Sequence, residues 1–325
     1  MAELFFSAST AVKGVTMALV TKKKIGVLMG GLSSEREVSL DSGKAVLKAL
    51  AGKGYDAVAV DVGRDAADRI RTSGMEIAFN ALHGKFGEDG AIQGMLEIMG
   101  IPCTGSGILA SAMGMNKIIS KTLFKAYGLQ VGPFLSVSRG DSNMLKTAQS
   151  EIGFPLVVKP SSEGSSVGVS LVHAQSDFDA AVKLAFSYDP EILVERYIRG
   201  MEVQVGILGE RALGAIEIVP KDVFYSYKAK YEQGMSDHFF PARIPKDVYT
   251  RTLDAGLLAH RALGCRGYSR VDFIIDNDGV PYILEVNTLP GMTATSLLPE
   301  IAQGAGIRFP DLVEEILRLA LSESR

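Results

Sequence analysis

Between Arg270 and Asn287 the chain reads RVDFIIDNDGVPYILEVN, two apolar, β-branched runs on either side of Asn277-Asp278-Gly279. That turn between such runs predicts an antiparallel β-hairpin. Pairing Asp272 with Glu285 leaves a loop of four residues and sets Arg270 opposite Asn287. Side chains alternate between faces along a strand, so Arg270, Asp272, Glu285 and Asn287 fall on one face. Two carboxylates and a carboxamide converging inside apolar strands call for a cation, because an unpaired carboxylate is costly to bury. Oxygen donors of this kind suit Mg²⁺, which keeps waters and phosphate oxygens as its other ligands.

The chain is 325 residues long, enough for two or three domains. With 47% hydrophobic and 22% charged residues it has an ordinary globular composition, and a net charge of −3 provides no basic field for nucleic acid. No run is long and apolar enough for a membrane span. Cys103 and Cys265 are too few for a disulfide framework and read as reduced thiols of a cytoplasmic protein. Residues 1–21 carry no basic n-region, and Lys22 to Lys24 come after them, the wrong order for a secretory signal. They read as an extension of unclear role, a candidate for disorder, with Met17 a candidate start.

From Lys24 the pattern becomes regular. Lys24–Met29 reads as a strand ending at Gly30-Gly31, followed by a helix through Leu50 and strands over Ala57–Val62 and Ile77–Leu82. This order predicts a parallel α/β domain ending near Thr104. Ligand sites gather beyond the carboxyl ends of such strands, where Gly30-Gly31 and His83-Gly84 stand. Ser33 or Ser34 would cap the helix with Glu37 as capping-box acid, leaving Glu35 in the first turn for a substrate ammonium. Helices are expected at Asn116–Tyr127, Asp177–Ser187, Asp247–Leu263 and Phe309–Leu321. Strands are expected at Phe154–Lys159, Val169–Val172, Glu202–Leu208 and Gly214–Pro220, and Ile192–Tyr197 reads as a strand or connector. Tyr225–Pro241 is polar, aromatic and aperiodic, as a lid would be.

Lys159 opens the loop KPSSEGSSVG at a strand end. Backbone N–H groups and serine hydroxyls there suit phosphate oxygens, with the lysine as a point charge. It is not a Walker A loop. Gly105-Ser-Gly-Ile-Leu-Ala110 imitates a dinucleotide fingerprint, but no acid follows about twenty residues on at the end of a strand, so that reading is rejected.

GGLSSEREVSLDSG (30–43), ALHGKFGEDGAIQGMLE (81–97), KPSSEGSSVGVS (159–170), KAKY (228–231) and RVDFIIDNDGVPYILEVNTLPGMTATSLLP (270–299) together resemble the D-alanine–D-alanine ligase family of the ATP-grasp superfamily. The resemblance runs from about Lys24 to Leu319. It implies an α/β fold, α+β in the ATP-binding part. A parallel-sheet domain (22–104) precedes a central subdomain (105–198) and a C-terminal metal and catalytic domain (199–325), the latter carrying the lid at 225–241. It also implies a reaction. One D-alanine carboxylate takes the γ-phosphate of ATP to give an acyl phosphate, which the amine of a second D-alanine attacks.

By the same resemblance, Asp272, Glu285 and Asn287 hold two Mg²⁺, with Mn²⁺ as substitute. Lys117 and Lys159 contact the α- and β-phosphates, and Lys230 the γ-phosphate. Glu195 takes the adenine amino group and Glu202 the ribose, while Tyr197 and Phe224 line the base pocket with Ile274 and Leu284. Glu35 fixes the first D-alanine's ammonium, with His83 near its carboxylate, and Ser165 and Tyr231 join Glu35 in a hydrogen-bonded group. Arg270 and the N–H of Gly291 stabilise the oxyanion, and Ser296 and Leu297 receive the second carboxylate. Tyr231 favours D-alanine as second substrate, although His238, where the family more often has an aromatic, introduces a titrating group. The family further implies a homodimer and no membrane or nucleic-acid partner. The alternatives are a ligase for D-lactate or D-serine and a nucleotide-binding protein without turnover.

Overall fold

The computed structural model describes residues 23–221, 236–293 and 295–322. The chain divides into two compact units. Unit 1 holds the residues up to Leu109, Cys265–Ser269 and Thr288–Arg325; unit 2 holds Ala110–Gly264 and Arg270–Asn287.

In unit 1, β1 (Ile25–Gly30), β2 (Ala57–Val62) and β3 (Ile77–Asn80) form a parallel sheet in the order β2-β1-β3. Ile25 is in register with both Ala57 and Ile77. β1 is central and fully buried, which its unbroken apolar run requires. Leu28, Val60, Ile70, Leu82 and Leu96 build the core on one side. Helix α1 (Arg36–Gly52) follows β1, α2 (Ala66–Ser73) links β2 to β3, and α3 (Ala91–Ile98) follows β3. β3 ends at Asn80 rather than Leu82, because the Asn80 side chain turns the chain there, accepting from the Leu82 N–H and donating to the Gly87 carbonyl. The expected capping box does not form. The cap position falls on Glu35, whose side chain makes no capping bond, while the Ser33 hydroxyl accepts the Glu35 N–H and donates to the His83 carbonyl. Burial pushes the Cys103 thiol up to about 12 and the Cys265 thiol to about 11, so both stay protonated and inert.

Unit 2 contains two antiparallel sheets. The smaller has the order β4-β7-β5-β6, from Phe134–Ser138, Glu191–Arg196, Leu156–Pro160 and Ser170–Val172. The larger has the order β10-β9-β8-β11-β12, from Ser236–Phe239, Arg211–Pro220, Met201–Leu208, Tyr268–Ile275 and Pro281–Asn287. β10 is a correction, since part of the stretch read as irregular is a strand on Glu217–Pro220, with His238 opposite Ile218. Helix α4 (Ile108–Met115) leads into α5 (Lys117–Ala126), whose start is set by Asn116 accepting from Ile118 N–H and Ile119 N–H at 3.1 and 3.0 Å. Helices α6 (Ser142–Ile152) and α7 (Gln175–Tyr188) cover the smaller sheet, and α8 (Lys246–Ala262) packs on the larger. Back in unit 1, α9 (Leu297–Gly304) and α10 (Phe309–Ser322) close the described chain.

The hairpin β11–β12 pairs Arg270 with Asn287 and Asp272 with Glu285, as the spacing requires, and then departs from expectation. The next pair is Phe273 with Ile283, so Leu284 is an extra residue, a β-bulge. Asp276 N–H donates to the Val280 carbonyl, which shortens the loop to Asn277–Gly279, with Gly279 in the left-handed region.

Candidate active site

The bulge has a chemical result. Alternation alone would turn Leu284 away from Glu285; with the extra residue, both line one cavity of about 1040 Å³ in unit 2, together with Tyr282 and Ile274. Ile283 and Val286 go to the core instead. An apolar wall and a carboxylate thus adjoin on consecutive residues.

Among the described residues, three lysines reach this cavity. Lys117 and Lys121 lie one helical turn apart on α5, and Lys159 is the last residue but one of β5. Lys117 Nζ donates to the Glu163 carbonyl at 2.6 Å and stands 3.4 Å from Glu285. Lys159 Nζ meets Glu195 Oε1 at 2.5 Å, and Lys121 Nζ meets Oε2 at 2.9 Å. Burial alone would raise the Glu195 pKa, but the two ammonium groups outweigh it and hold the carboxyl at about 2. Burial also lowers the Lys121 pKa, against the pull of Glu195.

Beside Lys159, the loop carries Ser165 and Ser166 at φ 50° and 60°, a left-handed pair that costs non-glycine residues energy. Such successive turns direct backbone N–H groups into a concavity suited to an anion. Glu163 to Val167 line the cavity, as do Tyr197 and Glu202.

Asp272 is deeply buried, and the Arg270 guanidinium forks onto its two oxygens at 2.8 and 2.9 Å. Asn287 Nδ2 donates to Asp272 Oδ2 at 3.1 Å. Arg270, assigned to an oxyanion by resemblance, is therefore engaged with the carboxylate here. Among the described residues no three His, Cys, Asp or Glu side chains converge as a ready metal cage. The donor set is two carboxylates and an amide, which leaves positions of an octahedral ion to water and phosphate ligands.

Unit 1 holds a separate polar cluster. His83 Nδ1 lies 3.1 Å from Glu88 Oε1 and Nε2 lies 3.2 Å from the Ser42 hydroxyl. The Glu88 carboxylate accepts, so Nδ1 carries a proton. Ser42 Oγ in turn accepts the Met292 N–H at 3.3 Å, next to Gly291. Ser296 Oγ accepts from Thr293 N–H at 3.0 Å, and Leu297 opens α9. Glu35 is buried, with Oε2 so close to Gly84 that a Cβ there would meet it at 2.7 Å.

Phe224, Lys228, Lys230 and Tyr231, with most of the expected lid, lie outside the described residues, as do residues 1–21. Sequence reasoning missed Lys121, Ser42 and Glu88. The available signal for Lys121 was a lysine four residues after Lys117, on the same face of an amphipathic helix.

A lysine-rich cavity in two antiparallel sheets, in a chain that also builds a parallel α/β unit, defines the ATP-grasp class. Residues 64–106 match the D-ala D-ala ligase N-terminus and residues 123–318 the D-ala D-ala ligase C-terminus. The D-alanine–D-alanine ligase of Geotalea uraniireducens is 62% identical over 94% of this chain and 98% of its own length. That of Geobacter sulfurreducens is 58% identical over 90% and 93%. The crystal structure of the Bacillus anthracis D-alanine–D-alanine ligase complexed with ATP superposes with a TM-score of 0.82 at 33% identity, covering 93% of this chain and 98% of that one. VanG D-Ala:D-Ser ligase from Enterococcus faecalis has a TM-score of 0.82 at 30% identity, covering 92% and 99%. The chain belongs to the D-alanine–D-alanine ligase family.

Proposed function

We propose that this protein joins two D-alanine molecules into D-alanyl-D-alanine for peptidoglycan synthesis, using ATP and passing through an acyl phosphate. The observation that carries the reading is the unit 2 cavity, with the Lys159–Glu195–Lys121 group and the loop at Ser165 on the same lining as Asp272 and Glu285.

Phosphoryl transfer is catalysed mainly by positioning and charge neutralisation. Lys117 and Lys159 supply fixed positive charge for the α- and β-phosphates, and Lys230 for the γ-phosphate. Glu195, held ionised, accepts the adenine amino group, and Glu202 the ribose hydroxyls. Tyr197, Phe224, Ile274 and Leu284 wall the base. Asp272, Glu285 and Asn287 fit Mg²⁺, or Mn²⁺ in its place, because they present hard oxygen donors and leave room for phosphate and water ligands. When bound, the ions supply neutralisation of the phosphate oxygens.

A second set of residues serves the peptide-forming half. Glu35 binds the ammonium of the first D-alanine and His83 lies near its carboxylate; Ser165 and Tyr231 complete that hydrogen-bonded group. The Gly291 N–H and Arg270 stabilise the oxyanion formed when the second amine attacks. Ser296 and Leu297 receive the second carboxylate. Among the described residues no helix is long and apolar enough to cross a membrane. The reading carries a cytoplasmic location and a homodimer, the latter checked by light scattering.

The test is phosphate release from ATP with D-alanine, L-alanine, D-serine or D-lactate, each alone and each with D-alanine, alongside product mass. Release that needs D-alanine and yields the dipeptide is expected. Release indifferent to D-amino acids would remove the ligase reading, and a mixed D-alanyl-D-serine product would move the specificity toward that of VanG.

A further inference from the structure

Glu195 is a buried carboxylate shared by two lysines that are not equivalent. Lys159 stands at the end of β5, where the Gly/Ser loop begins, and is the lysine assigned to the phosphates. Lys121 is on α5, only 1% exposed, with its ammonium 2.9 Å from Glu195 Oε2 and 3.5 Å from the Ile283 carbonyl.

A buried carboxylate needs a partner cation to stay ionised. If Lys159 turns to a polyphosphate, the partner Glu195 keeps among the described residues is Lys121. This matters for the base. An ionised carboxylate only accepts hydrogen bonds, whereas a protonated one also donates. The ionised form accepts from an exocyclic amino group and repels a 6-oxo purine, whereas the protonated form accommodates either. A carboxylate has about four acceptor positions, and the two lysines leave room for a base amine on the cavity side.

We propose that Lys121 is the positioning residue that sets purine selectivity, keeping Glu195 ionised and oriented as the acceptor for the 6-amino group while Lys159 serves the phosphates. The proposal rests on the nucleotide reading given above and assigns a residue that this reading did not use. The two buried lysines on one carboxylate then have different roles, Lys159 in affinity and Lys121 in discrimination.

The test is calorimetric binding of ADP and IDP without amino acid, so that turnover plays no part. Wild-type protein is expected to prefer ADP. In Lys121→Met the ADP/IDP affinity ratio falls by about tenfold or more, the scale of one net hydrogen bond. In Lys159→Met both nucleotides weaken together and the ratio holds. Lys121→Arg, which keeps the charge, restores most of the preference. Circular dichroism melts confirm that each variant is folded, and Lys121→Gln replaces Lys121→Met if the latter is not. An unchanged ratio in a folded Lys121→Met or Lys121→Gln, or a collapse in Lys159→Met instead, overturns the proposal. D-alanine-dependent phosphate release by wild-type protein is measured in parallel, so the ligase reading stands or falls on its own result.

Discussion

Asp272 and Glu285 stand directly opposite each other across the β11–β12 ladder, at the last pair before Leu284 bulges out of register. The bulge brings Leu284 onto the cavity beside Glu285, whose carboxylate stands 3.4 Å from Lys117. Glu285→Gln keeps the shape and removes the charge. We expect kcat to fall by at least about a hundredfold, the scale of losing one preorganised electrostatic group, with a higher Mg²⁺ requirement. Phosphate release titrated against Mg²⁺ checks this; an unchanged midpoint would remove the metal assignment.

Ser42 joins His83 to the chain at Met292, the residue after Gly291. Ser42→Ala leaves a buried imidazole nitrogen and a buried N–H without these bonds, which costs about 1–3 kcal/mol. Urea unfolding should show a lower midpoint at constant m. Turnover with saturating ATP should drop while the KM for ATP does not move, because Ser42 belongs to unit 1 and the cavity to unit 2.

Gly200, just before β8, lies so close to β11 that a Cβ there would stand 2.0 Å from the Ile275 carbonyl oxygen. A backbone oxygen cannot rotate aside, so Gly200→Ala must shift one strand. We expect a loss of more than about 2 kcal/mol, in the range of overpacked sites. Thermal melting is the measurement, and a Tm indistinguishable from wild type would show that the strand start yields freely.

His260 on α8 is buried, and burial lowers its pKa from the ordinary value to about 4, against Glu210 and with Arg261. The unfolded chain therefore binds a proton between pH 6.5 and 4 that the folded chain does not. Stability is highest above the ordinary histidine pKa and falls as the pH drops toward the folded value, by up to about 3 kcal/mol. Glu195 acts in the same direction in a lower window, from its ordinary value down to about 2. His260→Gln should flatten the fall in Tm across the upper window and leave the steeper loss below it. An equal slope in the variant would assign the acid sensitivity to other groups.

What could be read from residues alone followed long, regular signals. The pairing of Asp272 with Glu285 came from the hairpin spacing, their shared face from alternation, and the helix after Asn116 from its pattern. The bulge did not, because nothing in YILEVN distinguishes a straight strand from one with an extra residue; only the requirement to bury Ile283 and Val286 together on one side decides it. The short helices at Ala66–Ser73 and Ala91–Ile98 were missed because eight residues give barely two turns of periodicity. Lys121 was missed because a lysine reads as surface until the fold encloses it.

Unit 2 is not one stretch of chain. Its β11–β12 hairpin is delivered by residues that follow a return through Cys265–Ser269. During synthesis, therefore, β8 emerges with β9 on one side and nothing on the other until Arg270–Asn287 arrives. Its buried Val203, Val205 and Ile207 meanwhile border an unpaired ladder, the kind of edge that recruits other chains. A fragment ending at Gly264 would retain that exposed edge permanently, so truncation there should produce aggregate rather than a smaller nucleotide-binding domain.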